Sequence, residues 1–107
     1  MSNGRMDQLL KFLEASPNDS FVKFALALEY INQSNDEKAL EYFNEILQHD
    51  PDYTGTYYHL GKLYERLKDP PSAERVYREG LQRTQSKDVR GYRELQQALN
   101  EMLFGEE

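Results

Sequence analysis

The two histidines, His49 and His59, are the side chains of this 107-residue chain best suited to metal binding or proton transfer near neutral pH. His49 lies in the segment QHDPD, beside two aspartates that are possible metal ligands. A metal site needs three or four converging ligands, and neither histidine belongs to an HxxxH or Glu-x-x-His pair. We therefore interpret QHDPD as a turn between structural units, with His49 at a helix end where a cation suits the helix dipole. His59 is predicted to lie at the surface or in a groove.

Covalent and phosphate chemistry have no support in the sequence. It contains no cysteine, no glycine-rich phosphate loop and no nucleophile signature. We therefore predict that the protein is not an enzyme, with no catalytic residue, no metal site and no cofactor. The absence of cysteine fits a reducing compartment, and neither a signal peptide nor a membrane-spanning apolar run is recognisable, so a cytoplasmic location is expected.

The charge distribution argues against a phosphate-bearing partner. The formal net charge is −6, whereas a nucleic-acid-binding domain usually shows a basic face. Lysines and arginines alternate with glutamates, and Glu74–Arg78 and Glu79–Arg83 have the i,i+4 spacing of solvated helix faces. We predict that neither nucleic acid nor a membrane is a partner, since an anionic lipid surface would be repelled by the same negative charge.

The elements that must position these side chains follow from a repeat of 34 residues. Displacing the sequence by this interval superimposes residues of one chemical class in the same order: Leu26 on Leu60, Ala27 on Gly61, Tyr30 on Tyr64, Ala39 on Ala73, Phe43 on Tyr77, Leu47 on Leu81 and Pro17 on Pro51. Within each unit, apolar residues recur every three or four positions in two stretches, which predicts two helices. Asn35 or Asp36 is placed to begin the second helix of one unit, and Asp69 followed by Pro70 that of the other.

Two glycines predict close contacts between helices. A glycine inside a helix is less favourable than alanine by about 1 kcal/mol, so its presence suggests a steric reason. Gly61 and Gly80 both fall within predicted helices, and we expect a neighbouring backbone to approach them closely. Gly61 is expected to face Ala73 across the helix pair.

The two units resemble tetratricopeptide repeats. That family has an aromatic residue, then Leu-Gly, then tyrosine, then alanine, then an aromatic residue and finally proline. The second unit matches this pattern in Tyr57, Leu60, Gly61, Tyr64, Ala73 and Tyr77, and the first unit in Leu26, Ala27, Tyr30, Ala39, Phe43 and Pro51. The departures concern local packing: Lys23 stands where the family favours a large aromatic residue, Ile46 where it favours a small residue and Gln85 where it favours proline.

The resemblance implies an all-α fold, an α-solenoid of about six helices. An N-terminal half repeat would occupy residues 1–19, two full repeats residues 20–53 and 54–87, and a C-terminal capping helix with its tail residues 88–107. The last segment carries an apolar stripe suited to cover the end of a solenoid while its other face stays wet: Val89, Tyr92, Leu95, Leu99, Met102 and Leu103.

The resemblance also implies a protein-interaction module, a scaffold or adaptor that holds a peptide or helix of another protein in its concave groove. The candidate groove residues are Phe24, Leu28, Tyr58, Lys62, Arg66, Tyr92 and Arg93. Aromatic residues at helical spacing also pack in cores, and this reading remains open for Phe24 and Tyr92. Tyr58 and Lys62 are better groove candidates, because neighbouring residues already account for the buried face of their helix.

Some family members clamp the C-terminal carboxylates of heat-shock chaperones with Lys, Asn and Arg side chains. The corresponding positions here hold Phe24, Leu28, His59, Val89 and Arg93. Only Arg93 matches, so no such clamp is predicted.

Two alternative functions remain open. The chain could self-associate as a homodimer, in which aromatic residues among its 8 Tyr and 5 Phe would be buried, or it could be part of a longer repeat array.

Overall fold

In a computed structural model of the protein, which describes residues 4–105, the described chain forms six α-helices and no strand. They are α1 (Gly4–Ala15), α2 (Ser20–Asn32), α3 (Asp36–His49), α4 (Gly55–Arg66), α5 (Pro70–Thr84) and α6 (Val89–Phe104). The prediction of an all-α chain with about six helices is confirmed. The chain divides into two compact units, one ending at Tyr53 that contains α1 to α3, and one beginning at Thr54 that contains α4 to α6. Within residues 4–105, no helix is both long enough and apolar enough to cross a membrane.

Four helices begin at an Asp or Asn cap. The side chains of Asp19, Asn35, Asp69 and Asp88 each accept a hydrogen bond from the backbone N–H three residues further on, at 2.9 to 3.3 Å. Such caps satisfy N–H groups that have no partner inside the helix. The predicted starts at Asn35 and at Asp69 with Pro70 are confirmed.

The first helix of each repeat ends in the same left-handed turn. Ser34 after α2 has φ 62° and Lys68 after α4 has φ 64°. In both turns the N–H of the following residue donates to a carbonyl in the last turn of the helix, that of Tyr30 at 2.8 Å and that of Tyr64 at 2.9 Å. This is the hydrogen bonding of a Schellman motif, which usually places glycine at the left-handed position. The repeat of 34 residues is thus present in the backbone conformation as well as in the side chains.

Replacing Lys68 by glycine should raise the free energy of unfolding by about 1 kcal/mol, because glycine adopts a positive φ without the steric penalty of a Cβ. Urea denaturation measures the change. Lys11→Gly is the matched control, since this lysine is exposed inside α1 and the same substitution there should lower stability by about 1 kcal/mol. Equal destabilisation by both substitutions would contradict the assignment of strain to the turn.

The first unit is built on two packed helix pairs. α1 packs on α2 through Met6, Leu9, Val22, Ala25 and Leu26. Four further side chains of α2 and α3 are almost fully buried: Ala27, Ala39, Phe43 and Ile46. Lys23, which stands where the resembled family favours a large aromatic residue, is 5% exposed, and its Nζ lies 3.1 Å from Glu45 Oε1.

The second unit packs α5 against α4 and α6 with close contacts at both glycines. A Cβ added to Gly61 would lie 2.6 Å from Cδ1 of Tyr77, and one added to Gly80 would lie 2.6 Å from Cβ of Tyr57 and 2.8 Å from Cδ1 of Leu95. The steric reason predicted for both glycines is confirmed, but these atoms all belong to side chains, so the approach of a neighbouring backbone and the contact of Gly61 with Ala73 stay predictions. The Tyr77 ring, rather than Ala73, lies nearest to Gly61, because the missing Cβ leaves space for an aromatic ring.

The apolar stripe predicted on α6 is buried only in its middle. Leu95 and Leu99 are buried, together with Ala98. Val89 is 65% exposed and Leu103 is 38% exposed, which differs from the prediction. Both lie in end turns of the helix, so the central turns make the packed contact and the ends extend beyond it.

Candidate functional site

A groove of about 350 Å³ lies between α4 and α6 in the second unit. Its lining residues come from these two helices: Tyr58, His59 and Lys62 from α4, and Glu94, Gln97, Ala98 and Glu101 from α6. The α6 residues recur at intervals of three or four, so they share one helix face. Ala98 is a small buried side chain in this face and leaves room that a larger residue would fill.

The α4 wall presents an aromatic ring that already holds a cation. Lys62 Nζ lies 5.7 Å from the centre of the Tyr58 ring, which is within the range of a cation–π contact. The His59 ring meets the Tyr58 ring edge-on, with centroids 5.4 Å apart and planes at 89°. Both neighbours contact the Tyr58 ring, which lines the groove.

The electrostatic balance of the groove is negative. Burial lowers the pKa of His59 from its ordinary value of 6.5, and the nearby Glu94 carboxylate opposes this shift only in part. His59 is therefore mainly neutral at pH 7, and Lys62 faces the two carboxylates of Glu94 and Glu101, which leaves one negative charge in excess. Gln97 Nε2 donates a hydrogen bond to Glu101 Oε2 at 3.1 Å, which orients that carboxylate.

Tyr77 of α5 packs against α4, the helix that carries Tyr58 and Lys62. The Tyr77 ring is fully buried against Gly61, and its hydroxyl donates a hydrogen bond to Glu65 Oε2 at 2.6 Å. Burial and this hydrogen bond to a carboxylate raise the pKa of Tyr77 far above its usual value, so the phenol stays protonated. Tyr77 therefore links α5 to the middle of α4 at Gly61 and to its last turn at Glu65.

Of the candidates predicted in the second unit, the structure brings Tyr58 and Lys62 together in the groove. Arg66 is exposed in the last turn of α4 and does not line it. Tyr92 is half-buried and Arg93 exposed in the first turns of α6, and neither is among the lining residues. A binding role for these three residues stays a prediction.

The candidates in the first unit have a different setting. The Phe24 ring lies 6.0 Å from the ring of the buried Phe43 and 5.7 Å from that of Tyr53, so Phe24 contributes to an aromatic cluster. Leu28 is half-buried on α2. Whether either side chain also contacts a partner stays a prediction.

Sequence reasoning missed most of the α6 wall. Glu94, Gln97 and Glu101 occur at i, i+3 and i+7, which was a readable signal that they share a face. The sequence did not indicate that this face adjoins α4, because that depends on how both helices pack.

His49 is the exposed last residue of α3, followed by the turn predicted from QHDPD. His59, the other histidine, lies in the groove. Within residues 4–105, no group of three or more His, Asp or Glu side chains is arranged to hold a metal ion.

Comparison with known proteins places these features in context. A family model described as tetratricopeptide repeat matches residues 33–99. A crystal structure of a tetratricopeptide repeat domain protein from Salinibacter ruber is similar to this chain, with 40% identity over 82% of this chain and 99% of the other and a TM-score of 0.77. A solution structure of a tetratricopeptide repeat domain protein from the same organism has 41% identity over 81% and 89%, also with a TM-score of 0.77.

A solution structure of a protein from Bordetella parapertussis is similar over 96% of this chain and 90% of the other, with 25% identity and a TM-score of 0.80. A search of curated proteins gave no match. The structural neighbours fit an α-solenoid, which confirms the predicted fold class.

Proposed function

The chain belongs to the tetratricopeptide repeat family, and from this premise we propose that it is an adaptor that binds a peptide or helix of another protein at the groove between α4 and α6. The family supports a protein-interaction module in general, and its members are typically non-enzymatic scaffolds. That the partner binds at this groove is our more specific proposal, and the observation that supports it best is the Tyr58 ring, which is partly exposed at the groove and contacted by Lys62 and His59.

Tyr58 has the properties of a residue that dominates binding energy. Its aromatic ring is only partly buried within the chain, and Lys62 and His59 contact it in the structure, which favours this orientation of the ring. Tyrosines in such settings are enriched among interface residues whose truncation is most damaging. A ring that is already oriented also loses less side-chain entropy when a partner binds.

The remaining features of the proposal rest on sequence. We propose full repeats at residues 20–53 and 54–87, flanked by a half repeat at 1–19 and a capping helix at 88–107. The net charge of −6 favours a protein partner over nucleic acid or an anionic membrane. The cysteine-free composition fits a reducing compartment, and we propose a cytoplasmic location and a binding role without catalysis or cofactor. The residues at the clamp positions disfavour a chaperone carboxylate as the ligand.

Affinity capture from a lysate of the source cells tests the proposal. The baits are the wild-type protein, Tyr58→Ala, and Phe104→Ala as a matched loss of an exposed aromatic side chain outside the groove. After circular dichroism confirms that all three are folded, we expect a partner to be retained by wild type and by Phe104→Ala and lost by Tyr58→Ala. A partner profile that Tyr58→Ala leaves unchanged would count against the groove.

Self-association is a second candidate, because large apolar side chains are exposed on the first and last helices. Phe12 is 62% exposed on α1, and Phe104 is 76% exposed on α6. A homodimer, or neighbouring repeats of a longer array, would cover such surfaces. Sedimentation velocity over a wide concentration range tests whether the chain forms a homodimer. A single monomeric species at every concentration would rule the homodimer out. A dimer that is absent in Phe12→Ala/Phe104→Ala would support it.

A further inference from the structure

We propose that the groove between α4 and α6 receives an arginine side chain from a basic segment of the partner protein. The inference rests on the proposed function and adds the chemical class of the ligand. It concerns residues of the second unit only, with Glu94 and Glu101 as the acceptors and Tyr58 as the stacking surface.

The carboxylates are the first support. Glu94 and Glu101 lie on one face of α6, seven residues and therefore about 10 Å apart along the helix, so they flank the groove along its length. Both are exposed, and Gln97 orients the Glu101 carboxylate by the hydrogen bond described above. A guanidinium group can donate two parallel hydrogen bonds to a carboxylate, which gives both affinity and a defined geometry.

The aromatic ring is the second support. Lys62 Nζ lies 5.7 Å from the centre of the Tyr58 ring, so an arginine that stacks on this ring takes the place of the Lys62 ammonium. A guanidinium plane stacks on such a ring more readily than an ammonium, because it is planar and more weakly hydrated. Tyr58 and the carboxylates line the same groove, and the inference places one arginine side chain against the ring and a carboxylate together.

An acidic segment fits the same groove poorly. Its carboxylates would find one cation, Lys62, and would meet two negative charges on α6. Neutral His59 adds no second cation at pH 7. Like charges brought together in an interface are a strong means of rejecting a partner. The lining therefore selects for basic partners.

The test uses three nine-residue peptides that are identical except at two central positions, which hold arginine, glutamate or glutamine. Each is titrated to millimolar concentration into the ¹⁵N-labelled full chain, and the amide shifts of residues 58–62 and 94–101 are followed. We expect saturable shifts with the arginine peptide and an affinity about ten-fold higher than for the other two. Raising the salt concentration should weaken the binding, since the charges are partly exposed.

Charge-matched variants decide where the peptide binds. Glu94→Gln/Glu101→Gln should weaken the arginine peptide about ten-fold, while Glu37→Gln/Glu41→Gln, which removes two exposed carboxylates from α3, should change its affinity less than about two-fold. All four glutamates are exposed, so both double variants are expected to fold.

Three results would overturn the inference. Preference for the glutamate peptide would show that the ligand's charge is wrong, while the groove can still bind protein. An arginine affinity that Glu94→Gln/Glu101→Gln leaves unchanged would show that these carboxylates are not the acceptors. No groove shift with any peptide would also overturn it. The proposed function is judged separately by the loss of partner in Tyr58→Ala, which does not depend on these peptides.

Discussion

Replacing Gly61 by alanine is expected to lower the free energy of unfolding by about 2 kcal/mol, although alanine is the better helix former by about 1 kcal/mol. The new Cβ would lie 2.6 Å from Cδ1 of Tyr77, well inside van der Waals contact. The ring cannot move aside cheaply, because it is fully buried and its hydroxyl is bonded to Glu65 at 2.6 Å. Urea denaturation followed by circular dichroism measures the effect.

The control is Gly4→Ala at the start of α1, where an added Cβ meets nothing within 4 Å. This substitution should change stability by less than about 0.5 kcal/mol. A double-mutant cycle identifies the cause: in the Tyr77→Leu background, where the ring is absent, Gly61→Ala should cost at least about 1 kcal/mol less. Additive effects would mean that the ring contact is not the reason for the glycine.

Replacing Glu45 by alanine is expected to destabilise the first unit by about 2 kcal/mol, whereas Lys23→Met should be neutral or stabilising. The Lys23 side chain is 6% exposed and Glu45 is 45% exposed, with 3.1 Å between Nζ and Oε1. Loss of the carboxylate leaves a buried ammonium group without this partner. Loss of the ammonium leaves only a half-exposed carboxylate that water can solvate, and methionine fills the same volume.

Chemical denaturation of both variants measures this asymmetry. Glu41→Gln is the control, because its ion pair with Lys38 is exposed on both sides and should contribute less than about 0.5 kcal/mol. If Lys23→Met lowered the free energy of unfolding more than Glu45→Ala does, the ion pair itself would stabilise the fold. The loss of stability in Glu45→Ala could then not be assigned to a buried ammonium group left without its partner.

The features predicted correctly from sequence are those encoded within a few residues. The caps at Asn35 and Asp69 need only an Asp or Asn before an apolar helical pattern, and the repeat needs only two units compared with each other. A steric reason for Gly61 also followed, because glycine is a poor helix former and is favoured inside a helix mainly where a Cβ would collide with a neighbour.

The features missed depend on how distant residues pack. Tyr77 rather than Ala73 fills the space at Gly61, which only the side-chain packing of α4 and α5 decides. The groove wall formed by Glu94 and Glu101 requires the packing of α6 beside α4, and the exposure of Val89 requires knowing where that contact ends. Periodicity identifies a polar face, but it does not indicate which helix lies opposite.

Site-specific photo-crosslinking tests most directly the central claim that the groove between α4 and α6 contacts another protein. A photo-reactive phenylalanine analogue is placed at position 58 and, as a control, at position 104, where the phenylalanine is 76% exposed and lies outside the groove. After irradiation in the source cells, we predict a covalent adduct with a different protein from position 58 and none with that protein from position 104. Adducts only with the protein's own chain, or the same adduct from both positions, would contradict the claim.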